Sequence, residues 1–293
     1  MTSFSSFANN ITADGKFQPE SGRYHLVVGL GCPFAHRALI AYKLKGLESA
    51  IDLSVVDFEM KDGYWKYFGH EGTTPDPLYG FQSIKQLYDK ADPQKLYTGK
   101  ATVPVLWDRK TETIVSNESH DIVRIFNSQL NNLAKYPNVN LYPDETKAKI
   151  DEATDFIMKN IAFQVYKTTS QEEYELSFKT FFNGLENLNE RLSKSRYLAG
   201  NAITEADIKL FVVLIRFEPA FYNLKYNLYP LSHYDSLFNY IKDLYQNEFI
   251  KPTVNFYHIK GIYYTRSSLP EPRLVPIGPN LDHYEIPHNR VNL

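Results

Sequence analysis

Hydrophobic positions along the chain change their spacing in an ordered way. Tyr24 to Leu30 is a short apolar run, rich in Leu and Val and closed by Gly29-Leu30-Gly31, and it predicts a strand. Pro33 follows at once. From Phe34 to Lys45 the apolar residues Ala35, Leu39 and Tyr42 return at helical spacing, and Gly46 ends the run. Proline suits the first helical position, where its missing N–H is not needed. Glycine suits the residue past the last turn. Ile51 to Phe58 predicts a second strand. The unit is strand, helix, strand, which implies parallel pairing through a crossover.

Residues 59–100 interrupt this rhythm. They are polar and aromatic, with turn signals at Gly63, Gly69, Gly72, Pro75, Pro77, Gly80, Pro93 and Gly99. One short helix is expected, over Phe81 to Asp89. A connection this long is usually functional or disordered, and its aromatic content argues for order. Thr102 to Trp107 and Thr113 to Val115 then predict a hairpin. Ser119 to Leu130 carries a helical stripe of Ile122, Ile125, Phe126 and Leu130. The order β-α-β, insertion, β-β-α is that of a thioredoxin-like domain.

Asn131 to Pro143 reads as a linker, and the pattern beyond it is helical to about Phe249. Thr204 and Asp207 make a near capping box, with Ile203 and Ile208 spaced as a hydrophobic staple. The helix they start is apolar nearly all round, as expected at the centre of an all-α domain. From Leu269 several prolines predict an extended tail. The expected organisation is an α/β thioredoxin-like domain over 1–140, with the insertion at 59–100, and an all-α domain over 141–293.

Composition narrows the function. The 293 residues are 43% hydrophobic and 23% charged, ordinary for a globular protein, and the formal net charge is −2. With no Lys/Arg block, nucleic acid is not an expected partner. The longest strongly apolar stretch, Leu210 to Ile215, is too short for a bilayer. The opening residues lack a charged segment followed by an apolar run, so no signal peptide is expected. A single cysteine excludes an internal disulfide and suits a reducing, cytoplasmic setting. The eight His show no HExxH spacing, and no metal is expected.

That cysteine, Cys32, falls at the N-cap of the first predicted helix. A thiolate there meets free N–H groups and the positive end of the helix dipole, and Arg37 adds charge nearby. The competing reading is an inert buried thiol. Ala35 occupies the position where a second cysteine would complete a CxxC pair. A dithiol mechanism is therefore closed, and an outside thiol must release any mixed disulfide. Glutathione is the abundant candidate. His36, one turn on, is a candidate for proton transfer or for a structural hydrogen bond.

Val103-Pro104 at a strand start is either a cis bond, frequent there in a thioredoxin-like fold, which leaves the Val103 backbone to pair with an extended peptide, or an ordinary strand-edge proline. Glu118-Ser119 precedes a helix, where N–H groups and a hydroxyl can hold a carboxylate and Glu118 an amino group. Routine capping is the alternative.

Together these segments resemble a known family. Gly31-Cys32-Pro33-Phe34-Ala35-His36-Arg37 is similar to the CPWAHR motif of the glutathionyl-hydroquinone reductases, the xi-class glutathione transferases. Gly72 to Phe81, Val103 to Asp108, Ile114 to Ser119 and the tail motifs His258-Ile259-Lys260, Tyr263-Tyr264, Val275-Pro276 and Gly278-Pro279 resemble it too. The resemblance implies a glutathione transferase fold, with a site between its domains. Cys32 would be the nucleophile, and Phe34, Val103, Pro104, Glu118 and Ser119 would line the glutathione site. A family Trp that packs on glutathione would fall at Tyr64 or Trp65. Tyr263 would match a catalytic Tyr facing the quinone side in the helical domain, with Tyr222 and Tyr264 as further quinone-side candidates.

Glutathione is the implied co-substrate, quinol conjugates the implied substrates, and a homodimer the implied assembly. Three departures stand out: Phe34 replaces the motif Trp, Phe221 lacks the hydroxyl of a usual Tyr, and Ile262 replaces a His. The last two concern the second substrate. They keep open a broader omega-like thiol transferase or dehydroascorbate reductase. A non-enzymatic interaction module with this fold is the reading from a different class.

Overall fold

The computed structural model describes residues 3–67, 69–166, 169–265, 269 and 271–293. The chain divides into two compact units, Met1–Val139 with Thr253–Val275, and Asn140–Pro252 with Pro276–Leu293. Residues 253–275, counted with the helical half on sequence pattern, cluster with the first unit.

The first unit is built on a five-stranded sheet in the order β3-β2-β1-β4-β5. β1 (Tyr24–Gly29) is buried along its whole length. It pairs in parallel with β2 (Ile51–Lys61), Gly29 lying opposite Val56. The crossover between them is α1 (Pro33–Lys45), closed by Gly46 in the left-handed region (φ 64°). The Gly46 amide returns to the Lys43 and Tyr42 carbonyls, and the Leu47 amide donates to Tyr42 O as well, so the last carbonyls of the helix are satisfied. On the other side β4 (Val105–Asp108) runs antiparallel to β1, and β5 (Thr113–Ser116) antiparallel to β4. At the far end of the sheet Arg23 forks onto Asp108, both bonds 2.7 Å and both side chains buried. This bidentate pair pins the β1–β4 register, which sets the opposite end of the sheet.

The insertion is more ordered than its sequence pattern predicts. β2 runs on past Phe58 to Lys61, turns at Asp62-Gly63, and returns as β3 (Tyr64–Tyr67). Asp-Gly is the strongest short hairpin signal, but Tyr64 to Tyr67 is only four residues, and its alternation rests on the single charged residue Lys66. The expected helix is α2 (Ile84–Ala91), started by a Ser83–Gln86 capping box. Two buried carboxylates order the rest of the segment. Asp57 accepts from the Glu59 and His70 amides, and Asp76 from those of Leu78, Tyr79 and Phe81. The helix expected over 119–130 is α3 (Ser119–Arg124), which relaxes into a π-helical turn at Ile125–Gln129.

The second unit contains α4 (Lys147–Ile157), α5 (Gln171–Leu192), α6 (Glu205–Leu214) and α7 (Asp235–Tyr245). All ten α6 residues are buried, as its all-round apolar pattern predicts. The capping box forms: Asp207 accepts from the Thr204 amide at 2.8 Å, and also from the Leu198 amide and the Tyr240 hydroxyl. The tail is extended over 273–281 but anchored beyond. Arg290 is 1% exposed and donates to the carbonyls of Leu192, Ser195 and Arg196.

Candidate active site

Topology brings the predicted site residues of the first unit to one end of the sheet. β1 ends there and hands over to α1. β4 is antiparallel to β1, so it starts there, with Val27 opposite Val105. β5 is antiparallel to β4, so it ends there, with Ser116 opposite Leu106. Cys32, Val103 and Ser119 thus follow or precede three neighbouring strands on the same side. Strand spacing puts β1 and β5 roughly 10 Å apart, about the reach of an extended tripeptide.

Cys32 is the N-cap of α1, in extended backbone (φ −76°, ψ 121°), with Pro33 at the first helical position. Its amide donates to Gly29 O at 3.0 Å. No acidic residue stands in the first turn to oppose a thiolate. The side chain is largely covered, at 7% exposure, and its Sγ donates to the Val103 carbonyl oxygen at 3.6 Å. The Val103-Pro104 peptide is cis, one of the two readings that the sequence leaves open. Phe34 projects outward at 42% exposure, with the Arg37 guanidinium 5.0 Å from its ring centre. His36 is buried and hydrogen-bonded to the Thr253 hydroxyl at 2.8 Å, the structural alternative of its two readings.

The β2–β3 hairpin distinguishes Tyr64 from Trp65. Met60 lies opposite Trp65 across the hairpin, and consecutive strand residues face opposite ways. Trp65 is buried against Gly29: a Cβ on Gly29 would stand 3.1 Å from its ring and 3.4 Å from Val103 Cγ2. Tyr64 is half-buried beside Lys85, whose Nζ lies 5.9 Å from the ring centre. Trp65 is therefore the aromatic that adjoins Val103.

Glu118 is the N-cap of α3 and Ser119 its first residue. Ser119 is buried and Glu118 exposed. The Glu118 amide donates to Ser116 Oγ at 3.1 Å, and Asn117 Oδ1 takes the Phe7 amide at 2.9 Å. These bonds fix the turn. Partial burial, and then the charge of Asp121, push the Glu118 carboxyl above the usual range.

The remaining candidates lie on other elements. α8 (Phe256–Tyr264) packs in the first unit, close against the residue before Cys32. A Cβ on Gly31 would meet His258 O at 2.6 Å and Ile262 Cβ at 3.1 Å. Ile262, not Tyr263, is thus the α8 side chain at Gly31. Tyr263 is 2% exposed and Tyr264 half-buried on the same helix. Tyr222 closes a π-helical turn, Phe217–Tyr222, in the second unit, and the neighbouring Phe221 is buried.

Sequence pattern missed the α8 contact. His258 is buried, bonded through Nε2 to Glu71 O at 2.6 Å, and set edge-on to Phe58. Gly261 lets the helix rest on Phe58, where a Cβ would come within 2.5 Å of the ring. Glycines at 31 and 261 were the only local signals. Among the described residues no cluster of three His, Cys, Asp or Glu could hold a metal, and no helix is long and apolar enough to cross a membrane.

A thioredoxin-type sheet with a lone cysteine at the first helix, a cis-proline opposite it and a helical second unit define the cysteine-type glutathione transferases. Comparison with known proteins agrees. Residues 31–129 match the glutathione S-transferase N-terminal domain and residues 171–243 the C-terminal domain. The chain is 42% identical over 302 residues to the glutathionyl-hydroquinone reductase YqjG of Escherichia coli, covering 98% of this chain and 91% of that one. It superposes on the glutathione-bound structure of YqjG with a TM-score of 0.91 at 41% identity, over 98% of this chain and 97% of that one. A xi-class transferase from Natrialba magadii gives 0.93 at 39% identity, over 99% and 92% of the two chains. The chain belongs to the glutathione transferase family, in its xi class with the glutathionyl-hydroquinone reductases.

Proposed function

We propose that this protein is a glutathionyl-hydroquinone reductase that works through Cys32. The observation that carries the reading is the placement of the Cys32 sulfur, at a helix N-cap and 3.6 Å from the Val103 carbonyl. The sheet end it occupies also presents Trp65, Glu118 and Ser119. Glutathione lies along Val103, Trp65 packs on it, and Glu118 and Ser119 take the amino and carboxylate groups of its γ-glutamyl end. The Cys32 thiolate attacks the sulfur of the conjugate. An S–S bond forms to Cys32, the C–S bond breaks, and the ring carbon takes its electron pair and a proton. A second glutathione thiolate attacks the mixed disulfide and leaves as glutathione disulfide, restoring the Cys32 thiolate.

Tyr263 is the proposed proton donor, with Tyr222 and Tyr264 as quinol partners. Phe34, exposed beside Cys32, offers a ring to the bound ligands. A cytoplasmic location and a homodimer complete the proposal on family resemblance, and light scattering of the purified protein tests the dimer.

The deciding experiment is mass spectrometry of the protein mixed with a glutathionyl-menadiol and no free glutathione. A glutathione adduct on Cys32, with release of menadiol, is expected. An unmodified Cys32 would overturn the reading. The second reading, an omega-like thiol transferase or dehydroascorbate reductase, is favoured by one observation: the α8 side chain nearest Gly31 is the apolar Ile262 rather than a hydrogen-bonding residue. Turnover of dehydroascorbate or a small mixed disulfide, with none of the quinol conjugate, would establish it instead.

A further inference from the structure

β5 is the last strand of the sheet, and residues 4–9, ahead of β1, cover its outer edge. Ala8 bridges Ser116 in antiparallel sense, and the Asn9 amide donates to Val115 O at 3.0 Å. Phe4 bridges Tyr97 in turn. Its amide donates to Leu96 O at 3.1 Å, and its carbonyl accepts from the Thr98 amide at 2.8 Å. One short stretch thus stitches residues 96–98 to residues 115–117. Resting on the function proposed above, we infer that Phe7, at the centre of this stretch, is a positioning residue for glutathione. It acts through Asn117 on Glu118 and Ser119, and through Tyr88 on Val103.

The Phe7 backbone holds the turn into Glu118. Asn117 stands directly before Glu118 and is buried. Its Oδ1 accepts from the Phe7 amide at 2.9 Å, and its own amide donates to Phe7 O at 3.2 Å. Its Nδ2 donates to the Tyr97 hydroxyl at 3.0 Å. All three bonds end on Phe7 or on a ring that Phe7 packs against. A buried amide stripped of its partners is costly, so Asn117 follows Phe7, and the peptide that leads into Glu118 follows Asn117.

The Phe7 ring holds the approach to Val103. It is buried, with its centre 5.1 Å from that of Tyr97 and 6.0 Å from that of Tyr88. The two tyrosine rings are themselves 5.3 Å apart. Tyr88 donates its hydroxyl to Thr102 O at 3.0 Å, directly before Val103, and Tyr97 donates to Lys100 O at 2.8 Å. One residue therefore ties together the segment that runs beside the tripeptide and the turn that takes its γ-glutamyl end. Spacing matters here, because a misplacement of about 1 Å can cost roughly a hundredfold in rate. Cys32 is placed by other groups: its amide donates to Gly29 O, and its helix is α1. Affinity for glutathione and reactivity of the thiol are thus separable.

The test uses the full chain with Phe7→Ala, which removes the ring, and Asn117→Ala, which removes the side-chain bonds. Either variant, once folded, decides the matter. Calorimetry in a Cys32→Ser background should show glutathione binding about tenfold more weakly in each. Alkylation of the unaltered Cys32 thiol by iodoacetamide should stay within about twofold. Phe7→Leu, which keeps apolar bulk, should recover most of the affinity. In a Glu118→Gln background Asn117→Ala should cost less than about threefold, because the carboxylate it aims is gone. Unchanged affinity in the folded variants would overturn the inference. So would a full tenfold loss in the Glu118→Gln background, or an equal loss of affinity and alkylation, which would assign Phe7 and Asn117 to general stability. No glutathione binding by the Cys32→Ser protein with Phe7 and Asn117 intact would instead remove the proposed glutathione site, and this role with it.

Discussion

Gly31 and His258 are in a contact that leaves no room for a side chain: a Cβ at 31 would begin 2.6 Å from the His258 carbonyl oxygen. The oxygen belongs to a helix backbone and cannot swing aside. Gly31→Ala is therefore expected to push α8 away from the residue that precedes Cys32. Overpacking of this kind costs about 1–3 kcal/mol, which urea unfolding would read. Adduct formation on Cys32 should fall with it. A variant of unchanged stability and rate would show that the approach is looser than described.

Trp65 and Tyr64 give a paired prediction. Trp65→Ala removes the ring that lies against Gly29 and Val103, and should slow adduct formation from a glutathionyl conjugate by tenfold or more, about 1.4 kcal/mol. Tyr64→Ala should leave that rate within about twofold, because its ring is on the other face of the strand. Stopped-flow measurement on both variants decides between them, and the reverse ranking would refute the assignment.

Glu118 gives a pH prediction. Its carboxyl titrates above the usual range through partial burial and the neighbouring Asp121. Only the carboxylate can hold the ammonium of a γ-glutamyl group. As pH falls through that raised value, the protonated form accumulates and glutathione affinity drops. Calorimetry with a Cys32→Ser protein should show affinity declining from pH 7 toward pH 4.5. Glu118→Gln should bind about tenfold more weakly with little of that slope.

His25 gives a stability prediction. It is wholly buried and bonded to the Ser54 hydroxyl at 2.8 Å. Burial, and then the charge of Arg109, lower its pKa to about 4. The unfolded chain takes up the proton near 6.5 and the folded chain only near 4. Below 6.5 the unfolded state therefore binds more protons, and stability declines as pH falls. At pH 5 the loss amounts to about 2 kcal/mol. His258, lowered by burial too, adds in the same direction. Urea unfolding at pH 7 and pH 5 checks this, and His25→Asn should flatten the difference.

The parts of the fold that could be read from sequence were those with local signals. Pro33 and Gly46 bracket α1, Asp207 closes the cap of α6, and Pro104 marks the start of β4. β3 escapes a sequence reading because it is only four residues long, with Lys66 as its one charged position between buried rings. The placement of residues 253–275 in the first unit was not read either. It rests on packing between distant segments, Gly31 on His258 and Phe58 on Gly261, which leaves no periodic trace. The choice between Tyr64 and Trp65 needed the pairing of Met60 with Trp65, a matter of one residue in register.

That same register gives the adjacent rings a further meaning. If an insertion or deletion moved the β2–β3 turn by one step, every side chain on the returning strand would change sides. In most hairpins such a slip would trade an aromatic for a polar group. Here an insertion would bring Tyr64 to the Trp65 position and keep the wall beside Gly29 aromatic, whereas a deletion would bring Lys66 there.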